Sequence, residues 1–191
     1  KVCGLGAPAG PLGVLLVVRR HAKRQVANRA EVLEALGGLA RLRGLALQER
    51  QFDNATFCEQ VQALGSASLV VAVTGQFWGN APLLDPGALA VEIAAFVDFA
   101  PGGRFAQGGH AQRLDRCEYG FCRHLRVQGQ PYLLEDIATV DGTVDGCVHP
   151  RAWHDDPTCS LRVPANTLAH DVLTAMRIMD ATVGPGRRGG G

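Results

Sequence analysis

The sequence predicts an α/β domain: a Rossmann-like parallel sheet with helices on both faces, followed by a loop-rich region and a C-terminal helix. Three observations carry that prediction. Short apolar runs rich in Val, Leu and Ala recur at residues 13–18, 45–47, 69–73 and 89–93. The first two intervals between these runs hold helix-capping patterns. Read in order, the chain goes strand, helix, strand, helix, strand, helix, strand, and such alternation argues for parallel strands joined by crossover helices.

The run 13–18 is apolar throughout, as a central strand buried on both faces requires. The basic stretch from Arg19 to Arg24 follows it. Asn28-x-x-Glu31 reads as a capping box, with the Asn side chain taking an orphan amide and Glu31 reaching back. Val32, Leu33, Leu36 and Leu39 give the helix after it one apolar face, and Gly37 and Gly38 mark its expected fraying end. Thr56-x-x-Glu59 repeats the capping logic for a helix that carries Val61 and Leu64 and stops near Gly65. Thr74-Gly75 makes a sharp turn into a short helix predicted over 77–84, and Asp85-Pro86-Gly87 makes a turn into the strand at 89–93.

After Phe96 the pattern decays. Gly102, Gly103, Gly108 and Gly109 predict a long loop, and 132–137 holds a further strand. Residues 166–181 form the clearest late helix, with Leu168, Val172, Leu173, Met176 and Met179 on one stripe that suits core packing. The reading is one domain over 12–183 with its recognisable core at 12–96, and a Gly/Arg tail at 184–191 predicted to be disordered because it has no apolar surface to bury.

Composition bounds the function. A chain of 191 residues with 47% apolar residues builds one globular core. A net charge of +1 supplies no basic field for a general nucleic-acid or membrane-surface role. No apolar run reaches the roughly 18–20 residues that span a bilayer. The first residue is Lys1 and no signal peptide is visible, so the chain reads as processed or as a fragment. Cys117, Cys122, Cys147 and Cys159 crowd the least regular region, where cross-links stabilise most; at least one disulfide is expected among them. Free thiols are the alternative. Zinc is a third, since Cys117-x4-Cys122 has no second pair of matching spacing although His124 and His149 are near.

In an open parallel sheet ligands bind beyond the carboxyl ends of the strands. Two polar stretches lie at such ends: Arg19 to Arg24 after the first strand, and Thr74 to Asn80 between a strand and a helix. A glycine turn lets backbone approach a phosphate, a helix N-terminus offers free amides, and arginine matches a diphosphate with its fork of donors. Together they make an anion site, or else a solvated basic loop beside an ordinary turn. His149, His154, Asp155 and Asp156 gather in sequence, but they flank Pro150 and Pro157 in a loop and read as structural or surface residues. Asn54-Ala55-Thr56 is a glycosylation acceptor pattern.

The spacing resembles a known family. Arg19-x4-Arg24-x-Val26-x-Asn28-x-x-Glu31 is similar to the arginine-rich stretch that opens the C-terminal half of glycosyltransferase family 61. Gln60-Val61-x5-Ala67, then Val70-Val71-x-Val73-Thr74-Gly75, resembles that family's run into its His-Gly-Ala turn, and Asn80 falls where the family has Asn. Leu84-x-Pro86-Gly87-Ala88 and Val91-Glu92-Ile93 are similar to its closing strand. The resemblance covers about residues 12–96. It departs where Thr74 replaces the family's His and Gln76 replaces a small residue: threonine donates a hydrogen bond but takes up no proton and bears no charge at neutral pH. Phe77 and Trp78 make the turn bulkier, either as core or as walls of a base or sugar pocket.

The resemblance implies the C-terminal, nucleotide-sugar-binding half of a GT-B glycosyltransferase. It implies inverting hexosyl or pentosyl transfer from a UDP-sugar to a glycan or protein acceptor, with no metal and no other cofactor. Arg19, Arg24 and more weakly Arg20 would hold the diphosphate. Thr74, Gly75 and Gln76 would present amides and a hydroxyl to it, beside Asn80, and Glu92 would hold the ribose. The catalytic base is unknown and belongs to an N-terminal domain of the same enzyme, since little precedes residue 13. A membrane-anchored protein of the Golgi or endoplasmic reticulum lumen, glycosylated at Asn54, is the implied setting. The alternatives are a degenerate, non-catalytic nucleotide-sugar-binding module, which Thr74 favours, and an unrelated phosphate-binding α/β domain. The chain lacks the glycine-rich phosphate loops of the latter.

Overall fold

A computed structural model describes residue 3 and residues 13–19, 25–94, 130–136, 143–145 and 159–183. Five strands form the main sheet: β1 Val14–Arg19, β3 Ala46–Gln51, β4 Ala67–Val73, β5 Leu89–Ala94 and β6 Tyr132–Asp136. Their order is β3-β1-β4-β5-β6 and every neighbouring pair is parallel. Helices α1 (Arg29–Arg43) and α2 (Phe57–Gly65), the 3-10 helix η1 (Gln76–Leu83) and α3 (Ala165–Val183) flank it. A small second sheet joins β2 (Gln25–Val26), β8 (Ser160–Arg162) and β7 (Thr143–Asp145), in that order. The α/β architecture read from the alternation is therefore present, and the small sheet is an addition that strands of two or three residues do not announce.

Strand alternation divides the core into two layers. Leu15, Leu69, Val71, Val91 and Leu133 face α1 and α3, meeting Val32, Leu36, Leu168 and Val172. Leu16, Val70, Ala72 and Ala90 face α2 and η1, meeting Leu64, Phe77 and Trp78. Both faces are covered, which is why these strands read as continuous apolar runs. Taken in chain order, the sheet runs second, first, third, fourth, fifth. This is a doubly wound order, equal to 3-2-1-4-5-6 with its outermost strand removed, and its winding reverses between β1 and β4.

Helix α1 runs past Gly37 and Gly38, where fraying was expected, and ends at Gly44 in the left-handed conformation, φ 66°. Gly37 lies instead at the contact between α1 and β3, and Gly38 is half-buried. Gly37 is buried, and a Cβ there would lie 3.5 Å from the Leu47 side chain on β3. The capping expected at its start is also different. Asn28 makes no side-chain cap. Its Nδ2 donates to the Val163 carbonyl at 2.7 Å and to Glu31 Oε2 at 2.9 Å, and its Oδ1 accepts from the Val163 N–H at 2.9 Å. The amide thus clamps the chain between β8 and α3 onto the start of α1, a long-range use that outweighs one orphan amide. The Thr56–Glu59 box on α2 forms as expected, and the two hydrogen bonds from Thr56 hold the Glu59 carboxyl below its usual range.

The segment predicted as a short helix over 77–84 is η1, a 3-10 helix with Pro82 inside it. Phe77 and Trp78 are core: Phe77 is 8% and Trp78 1% exposed, and Phe77 stacks on Phe52 at 5.6 Å. The described cross-link joins Cys3 to Cys58 on α2, with Cα atoms 5.3 Å apart. This bridge was not read from the sequence, whereas bridging late in the chain was expected, and there Cys159 is disulfide-bonded as well. Cys117, Cys122 and Cys147 lie outside the described residues, as do the glycine-rich segment after Phe96, His149, His154, Asp155, Asp156 and the 184–191 tail.

Asn28→Ala should lower stability by about 2–4 kcal/mol, because it strips both backbone partners from Val163, itself 1% exposed. Glu31→Ala should cost under about 0.5 kcal/mol. Urea titration of both variants checks this, and equal effects would return Asn28 to a simple capping role.

Candidate functional site

Parallel pairing brings the carboxyl ends of the central strands to one edge. Val18 pairs with Ala72, so Arg19 leaves β1 beside the point where β4 enters Thr74. This is the reversal point of the winding, where open α/β sheets bind ligands. A cavity of about 180 Å³ lies there. Its floor is Val17 and Val18 from β1, Val71 to Val73 from β4 and Ile93 from β5; its wall is Val32 and Leu33 in the first turns of α1. Gln25, Val26, Arg29 and Glu49 complete the lining. The space is smaller than the roughly 300–1,000 Å³ of whole-ligand sites, and suits a ring or one polar group of a larger ligand.

The polar side of the cavity is an ion pair. Arg29 donates from Nε and Nη2 to the two carboxylate oxygens of Glu49, a bidentate fork. Hydrogen bonding to Glu49 holds the guanidinium above its usual pKa against a small opposing effect of burial. Arg29 opens α1, where the helix dipole disfavours a cation, and the carboxylate offsets that. Its side chain is 47% exposed and that of Glu49 22%, so the pair sits at the rim.

The structure treats the residues singled out in the sequence unequally. Arg19 ends β1 at this edge; Arg20 and Arg24 lie outside the described residues, as do the side chains of Arg19 and Gln76. Thr74 is buried at 5% exposure and its N–H donates to the Ile93 carbonyl at 2.8 Å. Gly75 caps η1 with φ 147° and ψ −169°, a conformation open essentially to glycine alone. Asn80 is half-buried within η1. Neither Thr74 nor Gly75 lines the cavity. Asn54 is exposed in the turn after β3.

Glu92 requires correction. Expected to hold a ribose at the ligand edge, it is 0% exposed within β5 and takes the Tyr132 hydroxyl on Oε2 at 2.7 Å. It faces the α2 and η1 layer, the opposite side of the sheet from Val91 and Ile93, because strand neighbours alternate. The carboxylate in the lining of the cavity is Glu49, which the sequence reading passed over. Its signal was there: Leu45, Leu47 and Glu49 share one strand face, so a charge interrupts an apolar stripe.

Among the described residues no group of three or more His, Cys, Asp or Glu has a metal-holding arrangement, and no helix is long and apolar enough to cross a membrane. The fold and this edge define a doubly wound α/β domain with a small, apolar-floored and charge-rimmed cavity at its winding reversal. No protein-family model and no curated protein matches the chain.

Tyr132→Phe should destabilise the fold by about 1–3 kcal/mol, because a buried carboxylate oxygen loses its hydroxyl donor. Chemical denaturation measures it. An unchanged midpoint would show that Glu92 is accessible to water after all and would reopen its assignment to ligand.

Proposed function

We propose that this chain is the nucleotide-sugar-binding domain of a glycosyltransferase, holding a UDP-sugar across the carboxyl ends of β1 and β4. One observation carries the reading. Val17 and Val18, just before the basic segment, and Gln25 and Val26, just after it, line the same cavity. Arg19, Arg20 and Arg24 lie in the sequence between these two pairs of lining residues. A diphosphate at this edge would meet guanidinium forks and the Gly75 and Gln76 amides of the turn, the Thr74 N–H being held by the Ile93 carbonyl, with Asn80 one helical segment further on. Charge on the departing diphosphate would be stabilised by these cations and oriented amides without a metal. The similarity of residues 12–96 to glycosyltransferase family 61 supplies the donor class and inverting transfer to a glycan or protein acceptor.

In the architecture that the sequence resembles, a second nucleotide-fold domain brings the acceptor and the base. Held alignment of two reactants is worth roughly 7–11 kcal/mol of barrier, so transfer should depend on that domain. The Cys3–Cys58 cross-link and the exposed Asn54 in an acceptor triplet suit a membrane-anchored protein of the Golgi or endoplasmic reticulum lumen. The second reading, a non-catalytic binding module, is favoured by Thr74: it stands where the family has His, takes up no proton at neutral pH, and is buried.

UDP or a UDP-sugar should raise the melting temperature of the folded chain more than NAD or ATP does. Arg24→Ala should weaken UDP binding by about 1.5–3 kcal/mol, the range for hydrogen bonds to charged groups. Calorimetry giving equal affinity in the variant would remove Arg24 from the site, and no response to UDP would end the nucleotide-sugar reading.

A further inference from the structure

We infer that Glu49, not Glu92, is the carboxylate that takes the vicinal hydroxyls of the donor's ribose. The inference rests on the nucleotide-sugar reading and adds a subsite to it. Glu49 sits on β3, the second strand of the main sheet in chain order, and pairs in register with Val17 on β1. Both residues line the cavity. In doubly wound sheets that bind nucleotides, an acid on the second strand lies within reach of the ribose when the phosphates sit at the turn after the first strand. The carboxylate of that geometry is present here on β3, lining the cavity, and the sequence supplies basic residues after β1.

The chemistry fits the partner that Glu49 already has. A guanidinium gives a carboxylate two parallel N–H donors, and a vicinal diol gives it two neighbouring O–H donors. Arg29 accordingly occupies both oxygens with the fork that a diol would use. A ribose taking over one or both oxygens would turn Arg29 toward the diphosphate while keeping it at the rim, so the ion pair becomes a relay between the sugar and phosphate parts of one ligand. The apolar floor of Val17, Val71, Val73 and Ile93 excludes water beneath the carboxylate, which strengthens any hydrogen bond made there. Glu92 offers none of this, being fully buried on the other face and engaged by Tyr132.

The test compares UDP with 2′-deoxy-UDP by calorimetry on the full chain. Wild type should prefer UDP by about tenfold or more, the scale of one hydrogen bond to a charged acceptor. Glu49→Gln should lose most of that preference, and Glu92→Gln, where it folds, should keep it. Arg29→Gln, which leaves the carboxylate in place, should weaken UDP yet preserve the preference; this variant serves if Glu49→Gln does not fold. A preference that survives in Glu49→Gln, or is lost in Arg29→Gln, overturns the Glu49 assignment while the nucleotide site stands. Wild type that binds neither nucleotide overturns the nucleotide-sugar reading and this inference together. Wild type that binds both equally overturns this inference alone.

Discussion

Strand β1 is hydrogen-bonded on both edges, to β3 along six residues and to β4 along five, and both pairings are parallel. Much else follows from that constraint. A parallel neighbour on each side requires a crossover on each side, so α1 covers one face and α2 the other. Both faces of β1 are then buried, and Leu15 and Leu16 are each 0% exposed. All five strands also finish at one edge. There, backbone directions diverge between β1 and β4, and a cavity opens that the side chains of a single winding sense would fill.

The remaining elements secure this edge. α3 packs beside α1 against the same face, and the Asn28 amide ties the start of α1 to the backbone at Val163. The Arg43–Asp180 ion pair joins the far ends of those helices. On the other face, Phe52, Phe77 and Trp78 form an aromatic layer that fixes η1 behind the Thr74-Gly75 turn. The cavity therefore stands on a packed base, with polar groups on the side chains of Gln25, Arg29 and Glu49.

Much of this was legible in the sequence. Strands buried on both faces cannot alternate, so β1, β4 and β5 appeared as apolar runs with nearly correct limits. Thr56 and Glu59 announced the start of α2 because a capping box is local. What failed was non-local. Gly37 and Gly38 looked like a helix end, but packing of α1 carries it through them to the left-handed Gly44. Asn28 looked like a cap, but its partner lies 135 residues away. Glu92 looked like a ligand group because it ends a motif, yet the face it occupies is set by alternation from Val91 and Ile93. The same alternation, followed along Leu45, Leu47 and Glu49, would have pointed to the carboxylate at the cavity. No pairing of Cys3 with Cys58 could be read from spacing, since it depends on where α2 docks.

The central claim is that the winding reversal between β1 and β4 is where this domain meets a nucleotide. An amide NMR spectrum of isotope-labelled protein titrated with UDP tests it most directly, because every described residue except proline reports separately. The account predicts shifts concentrated at Val18, at Thr74 and Gly75, and in the first turn of α1 around Arg29, with the amino ends of the strands unmoved. Shifts centred on the amino ends of β1 and β4, or on the exposed face of α3, would contradict it.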